Sequence, residues 1–269
     1  MTVDPTPAQI SPDYNLAVCN LASGSKGNAT YISDGQTAIL VDAGLSGIEL
    51  QRRLAARNLA PEKLDAIIVT HEHSDHVKGA GILSRRFNLP VYINDKTQAA
   101  SPGLGRLHEI RTFDCGSTFN IGNLTIHPFS ISHDARDPSG FTIGCNGTRV
   151  AIATDLGIAT GMVKEHLKHC ALLVLEANHD PQMLETGPYP WPLKQRIQSR
   201  LGHLSNSDSK KLLLELQHDN LQHVILAHLS EINNTPQKAF DEVAQALTRC
   251  KAQLTVADQY SSGPLIYLK

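Results

Sequence analysis

The chain has 269 residues, 41% of them hydrophobic but only 5% aromatic, with 24 basic and 26 acidic side chains. That length buries a substantial core filled by Val, Ile, Leu and Ala. A net charge of −2 excludes an overall electrostatic footprint for nucleic acid or an anionic membrane, so any such contact has to be local.

No apolar run approaches membrane-spanning length, and Met1 to Pro7 does not read as a signal peptide. The cysteines Cys19, Cys115, Cys145, Cys170 and Cys250 are far apart, with no Cys-x-x-Cys pairing, which predicts reduced thiols and a cytoplasmic protein. Residues 1–14, with three prolines, read as a loose lead-in. Residues 15–269 read as one domain, because no linker or internal repeat divides them.

Strands are expected over residues 15–21 and 29–32, flanking the turn Ser23-Gly24-Ser25-Lys26-Gly27-Asn28. Its spacing is not that of a phosphate-binding loop; it is a plain hairpin turn or a backbone that closely approaches a ligand. Residues 37–41 form a buried strand ending in Asp42. A helix over 47–58 puts Ile48, Leu50, Leu54 and Ala55 on one side and Arg52, Arg53 and Arg57 largely on the other. The apolar run 64–69 is a central strand, followed by Thr70-His71-Glu72-His73-Ser74-Asp75-His76. A helix to Phe87 and a strand over 91–93 come next, and the turn-rich stretch 94–125 holds short strands.

A pattern then recurs. Apolar strands over 124–132, 149–154, 171–175 and 223–227 end in His133, in Asp155, in Glu176-Ala177-Asn178-His179-Asp180, and in His228. With Asp42 and the His71 cluster, six apolar strands end in a ligand-type residue. Gathered on one edge of a layered sheet, those ends surround one site. Outer helices over 163–168, 193–201, 208–217 and 236–249, with late strands over 254–257 and 265–268, predict two packed sheets with helical outer layers.

The His71 segment carries the chemistry. Three imidazoles and a carboxylate directly after a buried strand are a poor packing solution, since each ring needs a partner or water; they are a good metal site. His71 and His73 point to one side of extended chain, whereas Asp75 and His76 follow a turn into a helix. Two ligand groups facing neighbouring points predict two metal ions. The zinc-peptidase pattern His-Glu-x-x-His is excluded, because Asp75 occupies the second histidine position.

The series Asp42, His71-x-His73-x-Asp75-His76, His133, Asp155 and His228 resembles the metallo-β-lactamase fold superfamily over nearly the whole chain. The elements Ser23-Gly24-Ser25-x-Gly27-Asn28, Val41-Asp42-Ala43-Gly44-Leu45-Ser46, Glu176-Ala177-Asn178-His179-Asp180 and Gly202-His203-Leu204-Ser205-Asn206 resemble its YycJ/WalJ-type branch. That branch lies near the ribonuclease Z and cyclic phosphodiesterase groups. The resemblance implies a four-layer αββα sandwich of the α/β class and 5′-to-3′ exonuclease activity on double-stranded DNA. It also implies two divalent ions, zinc or manganese, with iron equally compatible with His/Asp ligation. By the same resemblance His71, His73 and His133 hold one ion, Asp75, His76 and His228 the other, and Asp155 bridges them. Asp42 orients ligands from behind. His203 contacts the scissile phosphate or protonates the leaving oxygen, and Asn178, His179 and Ser205 are candidates for substrate contact.

Two ions about 3.5–4 Å apart share a hydroxide and polarise a phosphoryl oxygen for in-line displacement. The expected reaction is attack of that hydroxide, held by Asp155, on phosphorus, with His203 as acid or phosphate clamp. Between 194 and 211, Lys194, Arg196, Arg200, Lys210 and Lys211 face a single acid, Asp208; this is either a solvated helical face or a local path for a polyanion. Tyr189 and Trp191 are either a packed loop or a stacking surface for a base. Competing readings are a hydrolase of small cyclic phosphodiesters, an RNA-processing nuclease, a thioester or lactam hydrolase, and a binding module whose metals are structural. No membrane association and no obligate protein partner are expected.

Overall fold

In a computed structural model describing residues 14–269, the strands sort into two sheets by their place in the chain. The first contains β1 (Leu16–Ala22), β2 (Ala29–Ser33), β3 (Ala38–Val41), β4 (Ala66–Ile68), β5 (Pro90–Ile93) and β6 (Glu109–Thr112). The second contains β7 (Phe119–Ile121), β8 (Leu124–Ser130), β9 (Ser139–Cys145), β10 (Thr148–Ala153), β11 (Leu172–Glu176), β12 (His223–Ala227) and β13 (Gln253–Val256). The last strand, β14 (Ile266–Leu268), returns to the first sheet beside β1, so the spatial orders are 14-1-2-3-4-5-6 and 13-12-11-10-9-8-7. The lead-in expected before residue 15 lies, except for Tyr14, outside the described residues.

The continuous apolar runs follow from burial on both faces of each sheet. Side chains alternate, so Leu16, Val18, Ile39, Ile68, Val174 and Ile225 fill the space between the sheets. Their neighbours Cys19, Leu40 and Ile67 pack outward against Leu50 and Leu54 of α1 (Gly47–Ala55) and Leu83 of α3 (Ala80–Phe87). On the other side, Ala151, Leu173 and Leu226 meet α5 (Gly161–Leu167), α8 (Asn206–Leu216) and α9 (Pro236–Ala244). The result is the expected helix, sheet, sheet, helix layering. Short helices α2 (Ser74–Val77), α4 (Asp95–Ala99), α6 (Pro181–Thr186) and α7 (Trp191–Ile197) lie in the connections.

Strand polarity decides where the site forms. β3 and β4 run parallel, as do β10, β11 and β12. β8 is antiparallel to β9 and β9 to β10, so β8 shares the direction of β10. Ligand-bearing ends therefore meet at one edge of the sandwich.

Two expectations are corrected. β9 was not foreseen, although it is seven residues long and lies between β8 and β10; Gly140 and Gly144 interrupt its apolar pattern, and glycine weakens a strand signal. At Gly140 a side chain would strike the Phe129 ring, which explains the glycine by packing. The last long helix ends at Ala244 and not near 249.

Phe141 on β9 is fully buried between the sheets. Phe141→Ala should cost about 3–5 kcal/mol in urea unfolding, against less than about 1 kcal/mol for Ile110→Ala on the exposed edge strand β6. Equal losses would show that β9 is misplaced.

Candidate metal centre

The first sheet delivers its ligands through Asp42, Thr70 and the turn into α2. Asp42 follows β3 with φ at 62°, a left-handed conformation that swings its carboxylate across the end of β4. Its Oδ1 accepts from the Thr70 N–H at 2.9 Å, and Oδ2 lies 2.7 Å from His76 Nδ1. Thr70 Oγ1 donates to the same carboxylate at 2.9 Å and lies 3.0 Å from His71 Nδ1. Both rings are thus held by Nδ1 and present Nε2 to the interior. His71 Nε2 comes within 3.0 Å of His73 Nδ1. Gly44 permits this packing: a side chain there would run into the Asp75 carbonyl oxygen.

The second sheet supplies the other half. His133 Nε2 lies 3.3 Å from His73 Nδ1, and its Nδ1 is 3.2 Å from the Gly202 carbonyl. Asp155 and His228, after β10 and β12, are also left-handed, with φ at 57° for each. Asp155 Oδ1 is 3.4 Å from His228 Nδ1 and 3.6 Å from His133 Nε2, while His228 Nε2 is 3.6 Å from Asp75 Oδ2. The fully buried Glu176, last residue of β11, joins the rest: Oε1 lies 2.8 Å from His203 Nδ1 and 2.9 Å from His228 Nδ1. Its Oε2 accepts from the Leu156 and Leu204 N–H groups at 2.8 and 3.1 Å.

Ligand atoms of His71, His73 and His133 lie within 4.8 Å of one another, as do those of Asp75, His76 and His228, and those of His71, His76 and Asp155. This donor set fits divalent cations. Asp155 Oδ2 and His228 Nε2 are buried with no hydrogen-bond partner, a costly state that ligating a cation would relieve. Asp155 Oδ2 does come within 3.3 Å of His76 Nε2, but as an ion pair and not a satisfied hydrogen bond.

The electrostatics agree. Burial first, and neighbouring imidazoles next, push His71 and His133 below the ordinary histidine value, keeping them neutral. Burial would raise the Asp75 and Asp155 carboxyls, but the imidazoles of His228 and His76 overcome it and hold both well below the usual range. The same contest, with His203 and His228 prevailing, brings Glu176 down to about 2. Anionic carboxylates and neutral imidazoles are the forms that bind metal. Burial alone would lower His76 and His228, but the carboxylates beside them prevail and raise both well above the usual histidine value, so these two rings release a proton when they ligate.

Beside these groups opens a cavity of about 210 Å³ lined by His133, His203 and His228 together with Tyr189, Leu193 and Arg196. A larger cavity, about 530 Å³, lies around His127 and His166, and none of the ligand-type residues above lines it. Chemistry, not size, identifies the site.

The chain matches the beta-lactamase superfamily domain over residues 37–229, the span that holds every one of these ligand-type side chains. It belongs to that superfamily. Among its members, the exodeoxyribonuclease YycJ of Bacillus anthracis is 39% identical over 232 residues, covering 84% of this chain and 87% of that protein. The exodeoxyribonuclease WalJ of Streptococcus pneumoniae serotype 2 is 38% identical over 235 residues, with the same coverages. The crystal structure of the metallo-beta-lactamase fold protein YhfI from Bacillus subtilis superimposes with a TM-score of 0.71, covering 93% of this chain and 99% of that one; at 17% identity this likeness is one of fold.

Within the superfamily frame, the structure brings together all seven expected ligands, Asp42 behind them, and His203 at the cavity. Asn178 lines the cavity as well, though its amide also donates to the His228 carbonyl at 2.8 Å. Two expected substrate contacts take other places. Ser205 caps α8, accepting from the Asp208 N–H, and its hydroxyl donates to Asp208 Oδ2. His179 is only 3% exposed and does not line the cavity.

The basic stretch is also largely neutralised. Lys194 is 9% exposed and its Nζ donates to the Glu185 and Gly187 carbonyls, Arg196 pairs with Asp134, Lys210 with Glu242 and Lys211 with Asp208. Thr70 and Asn28 were missed. Asn28 Nδ2 lies 3.2 Å from Asp75 Oδ2 and 3.1 Å from His76 Nε2, so the glycine-rich turn is a close approach to the site.

Asp42→Ala should weaken divalent-metal binding about 10- to 100-fold in chelator competition, by freeing the His76 ring. Burial lowers His179 from 6.5 to about 4, so the unfolded chain takes up the proton first. Stability is then complete above about pH 6.5 and falls towards pH 4, by roughly 3 kcal/mol at about 1.4 kcal/mol per unit. Urea unfolding of metal-free His179→Gln should show a flatter fall across that window than the parent protein; an identical slope would place the proton uptake elsewhere.

Proposed function

We propose that this chain is a two-metal phosphodiesterase that degrades double-stranded DNA from the 5′ end. The carrying observation is the convergence of seven ligand-type side chains beside a histidine, His203, whose Nδ1 is held by Glu176 at 2.8 Å. Similarity to proteins named exodeoxyribonuclease supports the nucleic acid, and DNA in particular. We assign His71, His73 and His133 to one cation and Asp75, His76 and His228 to the other, with Asp155 between them. Zinc and manganese both suit this set. The described domain, residues 15–269, is read as one functional unit. Its five cysteines are free thiols, which supports a reducing compartment such as the cytoplasm.

Bound divalent cations supply acidification of water and neutralisation of phosphoryl charge. The protein's own groups do the rest. Asp155, held anionic, orients the attacking water in line with the phosphorus but is a poor proton acceptor. Glu176 accepts from Nδ1–H of His203, so the doubly protonated ring has its Nε2–H free to pass to the leaving oxygen, and the proton shed by the attacking water restores it after release. The Leu156 and Leu204 N–H groups fix the Glu176 carboxylate, so His203 is oriented by backbone as well as by charge.

The cavity's size favours a second reading, hydrolysis of small cyclic phosphodiesters. Digestion of end-labelled duplex DNA with manganese or zinc separates the two. A product ladder growing from the 5′ end is expected, and His203→Ala should lower the rate about 10²- to 10⁴-fold with metal content unchanged. Cleavage of a cyclic nucleotide without cleavage of DNA would decide for the second reading.

A further inference from the structure

The cavity beside the metal ligands has one apolar wall that folding does not use. Tyr189, Leu193, Ile197 and Leu201 line it, and none of the four belongs to the three hydrophobic cores. Leu201 is 52% exposed, and the other three are half-buried. Leu193 and Ile197 lie one turn apart on α7 and present one face. Apolar surface gathered at the rim of a polar site marks a place where a ligand's apolar part rests.

The backbone at Tyr189 is also constrained. Pro188 and Pro190 flank it and fix the backbone on either side. The buried Lys194 ammonium clasps the same loop by donating to the Glu185 and Gly187 carbonyls, each at 2.7 Å. Lys194 therefore acts as a positioning residue for the ring and not as a charge for the substrate. An aromatic ring carried on a backbone fixed before binding has only its two side-chain torsions to lose on contact, which suits a stacking partner.

Resting on the nuclease reading above, we propose that this wall is the subsite for the terminal nucleobase, with Tyr189 as its stacking platform. A polynucleotide whose reacting phosphate sits at the ligand cluster carries a base on the adjoining sugar, and the apolar wall is the adjoining surface. At about 210 Å³ the cavity is smaller than the roughly 300–1,000 Å³ of drug-sized sites. That space suits one nucleoside. The terminal pair must therefore open, at a cost of a few kcal/mol, which stacking on Tyr189 offsets.

The test compares Tyr189→Ala, Tyr189→Phe and the parent protein on 5′-labelled duplexes whose terminal residue is a normal nucleotide or an abasic tetrahydrofuran analogue, with manganese present. Stacking on an aromatic ring is worth about tenfold or more per base. The parent should cut the normal end at least about tenfold faster, in kcat/KM, than the abasic end. Tyr189→Ala should lose about that factor on the normal end alone, mostly in KM, and no longer distinguish the two ends. Tyr189→Phe should behave as the parent. Unchanged melting temperature and metal content of Tyr189→Ala exclude misfolding as the cause. If the parent cuts both ends equally, or Tyr189→Ala cuts the normal end as the parent does, the subsite is overturned while the nuclease reading stands. If the parent cuts no nucleic acid, both fall.

Discussion

A buried carboxylate set against Nδ1 of an imidazole is the interaction on which this site depends. Asp42 does this for His76, and Glu176 does it for both His203 and His228. Each such pair fixes a ring's orientation and tautomer and turns Nε2 towards the interior. Burying these charges is expensive, and the cost is met by further donors: Thr70 on Asp42, and the Leu156 and Leu204 amides on Glu176. The remaining architecture brings such pairs from two sheets to one edge.

That convergence strains the backbone at particular places. Asp42, Asp155 and His228 each stand just past a strand end in the left-handed region, which costs a residue with a Cβ roughly 1–2 kcal/mol. Aspartate tolerates it better than histidine does. Three such residues at one site, each within two residues of a strand end, are the sharp corners by which parallel strands aim side chains inward instead of onward. Strain of this kind persists only where surrounding contacts enforce it, and here the carboxylate and imidazole pairs do so.

Much of this was legible in the chain. Apolar runs ending in Asp42, His71, His133, Asp155, Glu176 and His228 announced both the layered sheets and the shared edge, because doubly buried parallel strands leave long hydrophobic signals and ligands follow their ends. What escaped depends on partners distant in sequence. The positive stretch at 194–211 left a solvated helical face and a polyanion path both open, because two of the groups that neutralise it, Asp134 and Glu242, lie outside the stretch. Lys194 looked like surface charge, yet it is buried against two carbonyls. Ser205 and His179 carried the residue types of substrate contacts, but local geometry made one a helix cap and the other part of the interior. Strand β9 was hidden by two glycines, one of them forced by the Phe129 ring.

The two groups proposed to hold the cations each draw on both sheets: His71 and His73 stand with His133, and Asp75 and His76 with His228. During synthesis the partners emerge separately, with His228 far along the chain, and β14 joins β1 only when both chain ends of the first sheet are present. Cation capture is consequently a late event, waiting on long-range docking of the two halves. A polypeptide with hydrolytic chemistry of this kind stays inert while it is still attached to the ribosome.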